Sequence, residues 1–262
     1  MNPLPERRVS HVCVVQQLHR MPGVVGVTAI DKVAVDGPVT VHDHGLFGDV
    51  QADRVHHGGL DKAVYAIAAS EVAYWEEQLD RELPPGVFGE NLRIEGPLLD
   101  DALIGERWRI GESLELEVTG PRTPCRIFSL WLDRPGLVKE YTQRGRPGVY
   151  FRVRVPGTVR AGDAVHVLDA PAHGISVRRW FSEQDPDDAG RLLEADAAGE
   201  IALADYLRKY LIPVAGRGGD VERLRGILAD DAAGMIELTD RMRAHLTAAV
   251  ERADAAPPEG SR

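Results

Sequence analysis

The sequence predicts a mainly β protein with helices: a closed or nearly closed barrel followed by a small C-terminal α-helical domain. Three observations carry this expectation. The first 170 or so residues are dominated by β-branched runs ended by polar or Gly/Pro punctuation. One of them, "SLELEVTG", alternates strictly, with Leu114, Leu116 and Val118 on one face and Glu115 and Glu117 on the other. From about Ser176 onward the composition turns to helix formers and stays there.

In chain order, "VSHVCVV" and "VVGVTAIDKVAV" read as the first two strands. Ser70 is placed to cap a helix over "EVAYWEEQLDRE", whose Val72, Trp75 and Leu79 make an apolar stripe at helical spacing. "SLELEVTG" suits a half-buried strand. "RPGLVKEYTQR" reads as a short helix with Pro135 in its first turn. "GVYFRVRVPG" and "AGDAVHVLDA" read as two strands across a Pro-Gly turn. Many strands with short turns favour closure, because closure removes exposed edges. Pro171 and Gly174 mark the change of composition, so the barrel is placed at residues 1–172. Helices are expected over 173–253 and a disordered tail over 254–262.

Composition removes several classes of function. The 262 residues are 44% hydrophobic and 27% charged, enough to bury a core. A net charge of −10 argues against a nucleic-acid polymer as partner, since such binders present a basic face. No apolar run is long enough for a membrane span, and the N-terminal "MNPLPERRVSHVCVVQQLHR" lacks the apolar centre of a signal peptide. Two cysteines do not make a disulfide framework, so the expected compartment is the reducing cytoplasm.

The charge is uneven. Between Arg122 and Arg160 nine Lys or Arg stand against two acids. This is either a patch focused on an anion or a solvated sheet face with alternating arginines. Cys125 lies in that segment with Arg122 and Arg126 close by, a setting that favours a thiolate, whereas Cys13 sits in an apolar run and reads as a buried hydrophobe. "RVHHGGLDKAVYAI" offers His57 as a titratable group, Lys62 as a positive charge, and the Gly58-Gly59 pair as either a plain turn or successive amides aimed at an anion. In "GVFGENLRIEG" a Gly-rich turn leads into Asn91 and Arg93, two apart on one strand and so on one side, a pattern that reads as a plain turn before it reads as a site. "HDH" places His42 and His44 as a pair without a third metal ligand nearby, so a polar turn is favoured. No Walker loop, dinucleotide fingerprint or serine-hydrolase elbow is found.

Taken in order, "GLFGD", "HHGGLDKAVYA", "GVFGENL", "IGERWRIG", "LEVTGPRTPCRIF" and "GVYFRV" resemble the MOSC domain family, in its YiiM-like branch. The resemblance spans about residues 10–170, and the helical remainder is similar to the branch's C-terminal three-helix (3-alpha) extension. It implies a β-barrel and a molybdenum cofactor, a metal held by pterin dithiolene sulfurs, oxygen ligands and a protein cysteine. Cys125 occupies that position as the metal ligand and catalytic cysteine, and a soft thiolate suits such a metal. His57, next to the glycines, matches the family histidine better than His56 and is the expected proton donor. Gly58, Gly59, Lys62, Asn91 and Arg122 are the expected cofactor- or substrate-positioning residues.

The activity implied is reduction of N-hydroxylated compounds such as hydroxylaminopurine-like bases. With no flavin or iron–sulfur motif in the chain, electrons are expected from a separate reductase. Two other readings stand beside it: sulfur transfer through a Cys125 persulfide, and a cofactor- or anion-binding module without turnover. The helical domain is open to either of two roles, covering the barrel mouth or forming a homodimer.

Overall fold

The computed structural model describes residues 7–54, 57–217, 221–234 and 238–255. The tail expected at 254–262 lies outside these residues from position 256 on, and Asp254 still belongs to a helix.

The chain begins with a long hairpin, β1 (Arg7–Arg20) and β2 (Val27–Ala34), then a short one, β3 (Val39–His42) and β4 (Gly45–Leu46). A 3₁₀ turn at Leu60–Lys62 leads into β5 (Val64–Ala68), α1 (Ala69–Leu79) and β6 (Leu92–Glu95). After a second 3₁₀ turn at Leu99–Asp101 come β7 (Arg107–Ile110) and β8 (Leu114–Pro121). Two helices follow, α2 (Arg126–Trp131) and α3 (Leu137–Arg144), and then β9 (Val149–Val155), β10 (Gly157–Val159) and β11 (Ala164–Asp169).

The strand order β11-β7-β8-β9-β5-β6-β1 closes on itself because β1 also pairs with β11, at Arg7↔Val165 and Arg8↔Ala164. The result is a seven-stranded barrel, as the short turns imply. Closure depends on the length of β1. Its start pairs with β11 and β6, while its second half leaves the barrel to carry β2. Register shifts between Val15 and His19 accompany that departure. Among the described residues only β5 and β6 pair in parallel, with α1 as their crossover.

The alternation in β8 is realised: Leu114, Leu116 and Val118 are fully buried. Glu117, on the opposite face, is buried too, because Arg152 and Arg154 cover it at 3.6 and 3.3 Å. A second apolar cluster lies where α1, α2 and α3 meet the sheet. There Trp75 stacks on Tyr141 at 5.3 Å and Phe128 meets Tyr141 edge-on at 5.2 Å. Two helix starts differ from expectation. β5 runs straight into α1, so extended Ala68 is the N-cap and Ser70 falls inside the first turn. Helix α3 begins after Gly136, whose φ of 86° suits glycine, and Pro135 stays outside it.

The basic segment 122–160 does not form one anion patch. Arg152 pairs with Asp61 at 2.9 Å, Arg144 with Glu71 at 2.8 Å, and Arg146 approaches Glu71 at 3.5 Å. With Arg154 on Glu117, four of the segment's cations are spent on carboxylates from other parts of the barrel. Arg122 is the exception that matters below.

One buried acid predicts a pH effect. Asp100 is fully buried, accepts the Gly148 N–H at 2.6 Å through Oδ1, and has no partner for Oδ2 among the described residues. Burial, reinforced by nearby Glu71, raises its pKa from 3.8 to about 6 despite that hydrogen bond and Arg146. The folded state therefore holds a proton that the unfolded chain releases, and the stability this contributes is complete below about pH 4 and lost as pH rises through 6. Asp100→Asn removes the dependence. Its stability relative to the native sequence should rise by roughly 2–3 kcal/mol between pH 4 and pH 8, in urea unfolding at both. An unchanged difference between the two pH values would contradict the assignment.

The remaining helices are α4 (Val177–Glu183), α5 (Pro186–Ala197), α6 (Asp205–Ala215), α7 (Val221–Ala232) and α8 (Asp240–Asp254). The chain forms two compact units. Residues through Ala170 group with Ser176–Ser182, so most of α4 belongs with the barrel; Pro171–Ile175 groups with the chain from Glu183 onward. The second unit buries Leu192, Leu193, Leu207, Leu211, Leu224, Ile227 and Leu246. Its α5 starts as a capped helix should: Asp185 accepts the N–H groups of Asp187 and Asp188, and Pro186 sits at the first helical position. Among the described residues no helix is long and apolar enough to cross a membrane.

Candidate functional site

A cavity of about 310 Å³ opens in the barrel unit, and His57, Lys62, Asn91, Arg122 and Cys125 all line it. These residues come from three separate stretches of sequence: His57 and Lys62 ahead of β5, Asn91 just ahead of β6, and Arg122 and Cys125 just after β8.

Cys125 follows the exit of β8. Pro121 ends that strand and Pro124 is held in the chain just before the thiol; Cys125 itself is extended (φ −127°, ψ 169°) and caps α2 by position. It is partly exposed into the cavity, whereas Cys13 is completely buried in β1 and its thiol is pushed up to about 12, chiefly by burial. Of the two arginines near Cys125, Arg122 is buried and faces the cavity, while Arg126 is exposed and does not line it.

Arg122 is the most telling group. Its guanidinium carbon lies 4.0 Å from the centre of the Phe128 ring, with Tyr65 and Tyr141 at 5.6 and 5.8 Å. Its buried Nη1 has no hydrogen-bond partner among the described residues. The titratable neighbours are Cys125 and three tyrosines, and burial raises the pKa of each tyrosine and so keeps its hydroxyl protonated and uncharged. Burying a guanidinium without an anion costs several kcal/mol, so the fold keeps this one at a price in stability. Such an arrangement is suited to an anion entering the cavity.

Lys62 ends the 3₁₀ turn, with Nζ 5.7 Å from the Tyr150 ring; burial lowers its pKa, while Asp53 and Asp61 act the other way. His57 Nδ1 is 3.5 Å from the Tyr150 hydroxyl, which burial raises to about 12 and so keeps protonated. His56 lies outside the described residues. The two glycines shape the loop from beneath. A Cβ on Gly58 would sit 2.8 Å from Gln51 Oε1 and 2.9 Å from the Asp53 carbonyl, and Gly59 has φ +89°. The Gly59 N–H is given to Gln51 Oε1 at 2.8 Å rather than to the cavity, and neither glycine is part of the lining.

Asn91 lines the cavity but its side chain is committed. Oδ1 accepts the Tyr65 N–H at 3.1 Å and Nδ2 donates to Asp49 Oδ2 at 2.6 Å. The same Asp49 oxygen is 2.6 Å from Lys32 Nζ, and its other oxygen accepts the Val15 N–H at 3.1 Å. Asn91 thus orients a half-buried Asp49–Lys32 pair on the cavity wall. Arg93 turns away, to Glu90 at 2.8 Å and the Leu83 and Pro84 carbonyls, closing the 83–90 loop. His42 and His44 sit at the β3–β4 hairpin, and among the described residues no group of three metal-ligating side chains is assembled.

Residue-by-residue reading missed Lys32, Asp49 and Tyr150. Asp49 and Tyr150 stand inside the quoted "GLFGD" and "GVYFRV" stretches, and that was their only signal. Lys32 is concealed in a β-branched strand, where a charged residue ordinarily points to solvent.

Comparison with known proteins gives consistent matches. The family model described as MOSC domain matches residues 53–166. "Uncharacterized protein YflK" of Bacillus subtilis is 33% identical over 194 residues, covering 71% of this chain and 87% of that one. A protein of Gibberella moniliformis named "Reductase" is 31% identical over 151 residues, 55% of this chain but only 26% of that longer protein. The crystal structure of YiiM from Geobacillus stearothermophilus superposes with a TM-score of 0.63 at 25% identity, covering 79% of this chain and 98% of that one.

Proposed function

Because the chain belongs to the MOSC domain family, we propose that its barrel cavity binds a molybdenum cofactor and that the protein reduces N-hydroxylated compounds, such as hydroxylaminopurine-like bases. The observation that carries this reading is the buried Arg122 Nη1 without a partner, in the same cavity as the partly exposed Cys125 thiol. One supplies the fixed positive charge that an anionic pterin phosphate requires, the other a soft ligand for the metal. The residues present fit the group. The relative named as a reductase supports the reaction class for this domain.

In this reading Cys125 would ligate the metal, while Arg122 and Lys62 would hold the anionic part of the cofactor. When bound, the cofactor supplies the two-electron couple for N–O cleavage. The overall change is R–NHOH plus two electrons and two protons, giving R–NH₂ and water. The chain's own part is to bind, orient and protonate. His57, near the Tyr150 hydroxyl, is the donor to the departing oxygen, with Lys62 on the same cavity wall over the Tyr150 ring. A separate reductase would provide the electrons.

The decisive measurement is elemental analysis of protein made in a host that synthesises the cofactor. Near-stoichiometric molybdenum, with a pterin that becomes fluorescent on oxidation, is the expected result. Protein repeatedly free of both would overturn the redox reading.

A further inference from the structure

The run "VVGVTAIDKVAV" is not strand throughout. β2 starts only at Val27, and Met21–Gly26 form an irregular hairpin tip closed by the Met21 N–H on the Gly26 carbonyl at 3.1 Å. Gly23 and Gly26 take positive φ there, 137° and 70°. Between them stand Val24, completely exposed, and Val25, 44% exposed. Turn tips of this kind are usually built from Gly, Asn, Asp and Ser, which meet the backbone's needs and tolerate water. Two adjacent valines facing solvent contribute nothing to stability at such a place. Yet Met21, Pro22, Val24 and Val25 line the same cavity as Cys125, together with Ile30 and Val50.

The arms beneath the tip are fixed. His19 Nε2 is 2.6 Å from Asp31 Oδ2 across the hairpin, and the His19 ring lies 5.2 Å from that of Trp131. Trp131 is the last residue of α2, the helix that starts directly after Cys125, and its indole donates to the Val87 carbonyl at 3.0 Å. The valines therefore stand on a hairpin whose arms are tied to α2, the helix that follows the thiol, and they line the same cavity as Arg122 and Lys62.

We propose that Val24 and Val25 form a subsite for the flat apolar part of the substrate, so that the site selects N-hydroxylated compounds carrying a ring and disfavours hydroxylamine itself. The subsite rests on the redox reading above only for the identity of the group being reduced. A planar ring laid against the two valines covers apolar surface that is otherwise wet, and hydroxylamine has no ring to do so.

The test compares Val24→Asp/Val25→Asp with Val24→Leu/Val25→Leu, both made as full-length protein in a cofactor-competent host. The tip is exposed, so neither pair disturbs the core. Burial of this size predicts that the Asp pair raises KM for a hydroxylaminopurine about tenfold, with kcat/KM for hydroxylamine unchanged, while the Leu pair behaves as the native protein. Binding of 2-aminopurine to the protein as isolated, followed by its fluorescence, should weaken by about the same factor in the Asp pair only. Equal losses for both substrates, or no change for either, would overturn the subsite. Should the protein turn over no N-hydroxylated compound, the fluorescence decides. Binding lost only in the Asp pair keeps the subsite while the redox reading falls; binding that is absent or unaffected removes the subsite as well.

Discussion

Cys125→Ser should remain folded and lose at least about 100-fold in turnover of a hydroxylaminopurine with a chemical reductant, since even supporting residues of a metal site are worth 10–100-fold. The substitution keeps the side-chain volume and replaces a soft ligand with a hard one. Cys125 is only partly buried, so Cys125→Ala should also fold and lose activity. Cys13→Ala is the contrast. Cys13 is completely buried in β1, and trimming it leaves a small cavity that costs about 1–2 kcal/mol without touching turnover. Circular dichroism, molybdenum content and turnover for the three variants form one experiment. A folded Cys125→Ala protein with native turnover would sink the ligand assignment. A persulfide carrier would give a different pattern: native protein with cyanide-releasable sulfur on Cys125 and no molybdenum, the sulfur leaving as sulfide on treatment with a thiol reductant.

The barrel was legible because its strands obey a period of two and its punctuation is strong. Leu114, Leu116 and Val118 occupy one buried face as the alternation requires. Closure was less visible, since it depends on one long strand pairing with three others, and nothing local in "RRVSHVCVVQQLHR" says where β1 leaves β6 for β2. Helix starts were misplaced by a residue or two for a related reason. Ser70 has the right side chain for a cap, but the strand before it continues into the helix without a break, and that continuity overrides local preference.

The site was legible in its parts and not in its wiring. His57, Lys62, Asn91, Arg122 and Cys125 are gathered in one cavity. The sequence could not show that Asn91 spends its amide on Tyr65 and Asp49, or that Arg144, Arg146, Arg152 and Arg154 of the basic segment are paired with Glu71, Glu117 and Asp61. Ion pairs between residues far apart in the chain leave no periodic trace. The valines of the hairpin tip misled for the opposite reason. A β-branched run is the strongest strand signal available, and here two of its members serve a loop.

Arg122→Met should separate cofactor binding from folding more sharply than any other single change. Two terms compete at this position. The aromatic cage of Phe128, Tyr65 and Tyr141 stabilises the guanidinium by about 0.5–2 kcal/mol. Against that stands the desolvation of a buried charge whose Nη1 has no partner, a penalty of several kcal/mol. The penalty is the larger, so in cofactor-free protein Met, of similar length and apolar, should leave stability unchanged or raise it by about 1–2 kcal/mol. Cofactor retention should move the other way. Losing a charge-assisted contact to a bound anion costs roughly 2–5 kcal/mol, which is a factor of about 30 or more in affinity. Arg122→Lys should fall between, keeping the charge but losing the planar fork and its fit over Phe128. Urea unfolding of the cofactor-free proteins and the molybdenum and pterin content of the loaded ones measure the two quantities separately. Opposite signs mark a residue kept for its ligand. A variant that loses about 2 kcal/mol or more of stability while holding its full cofactor content would instead make Arg122 a structural cation of the aromatic cluster, and the anion reading of the cavity would fall with it.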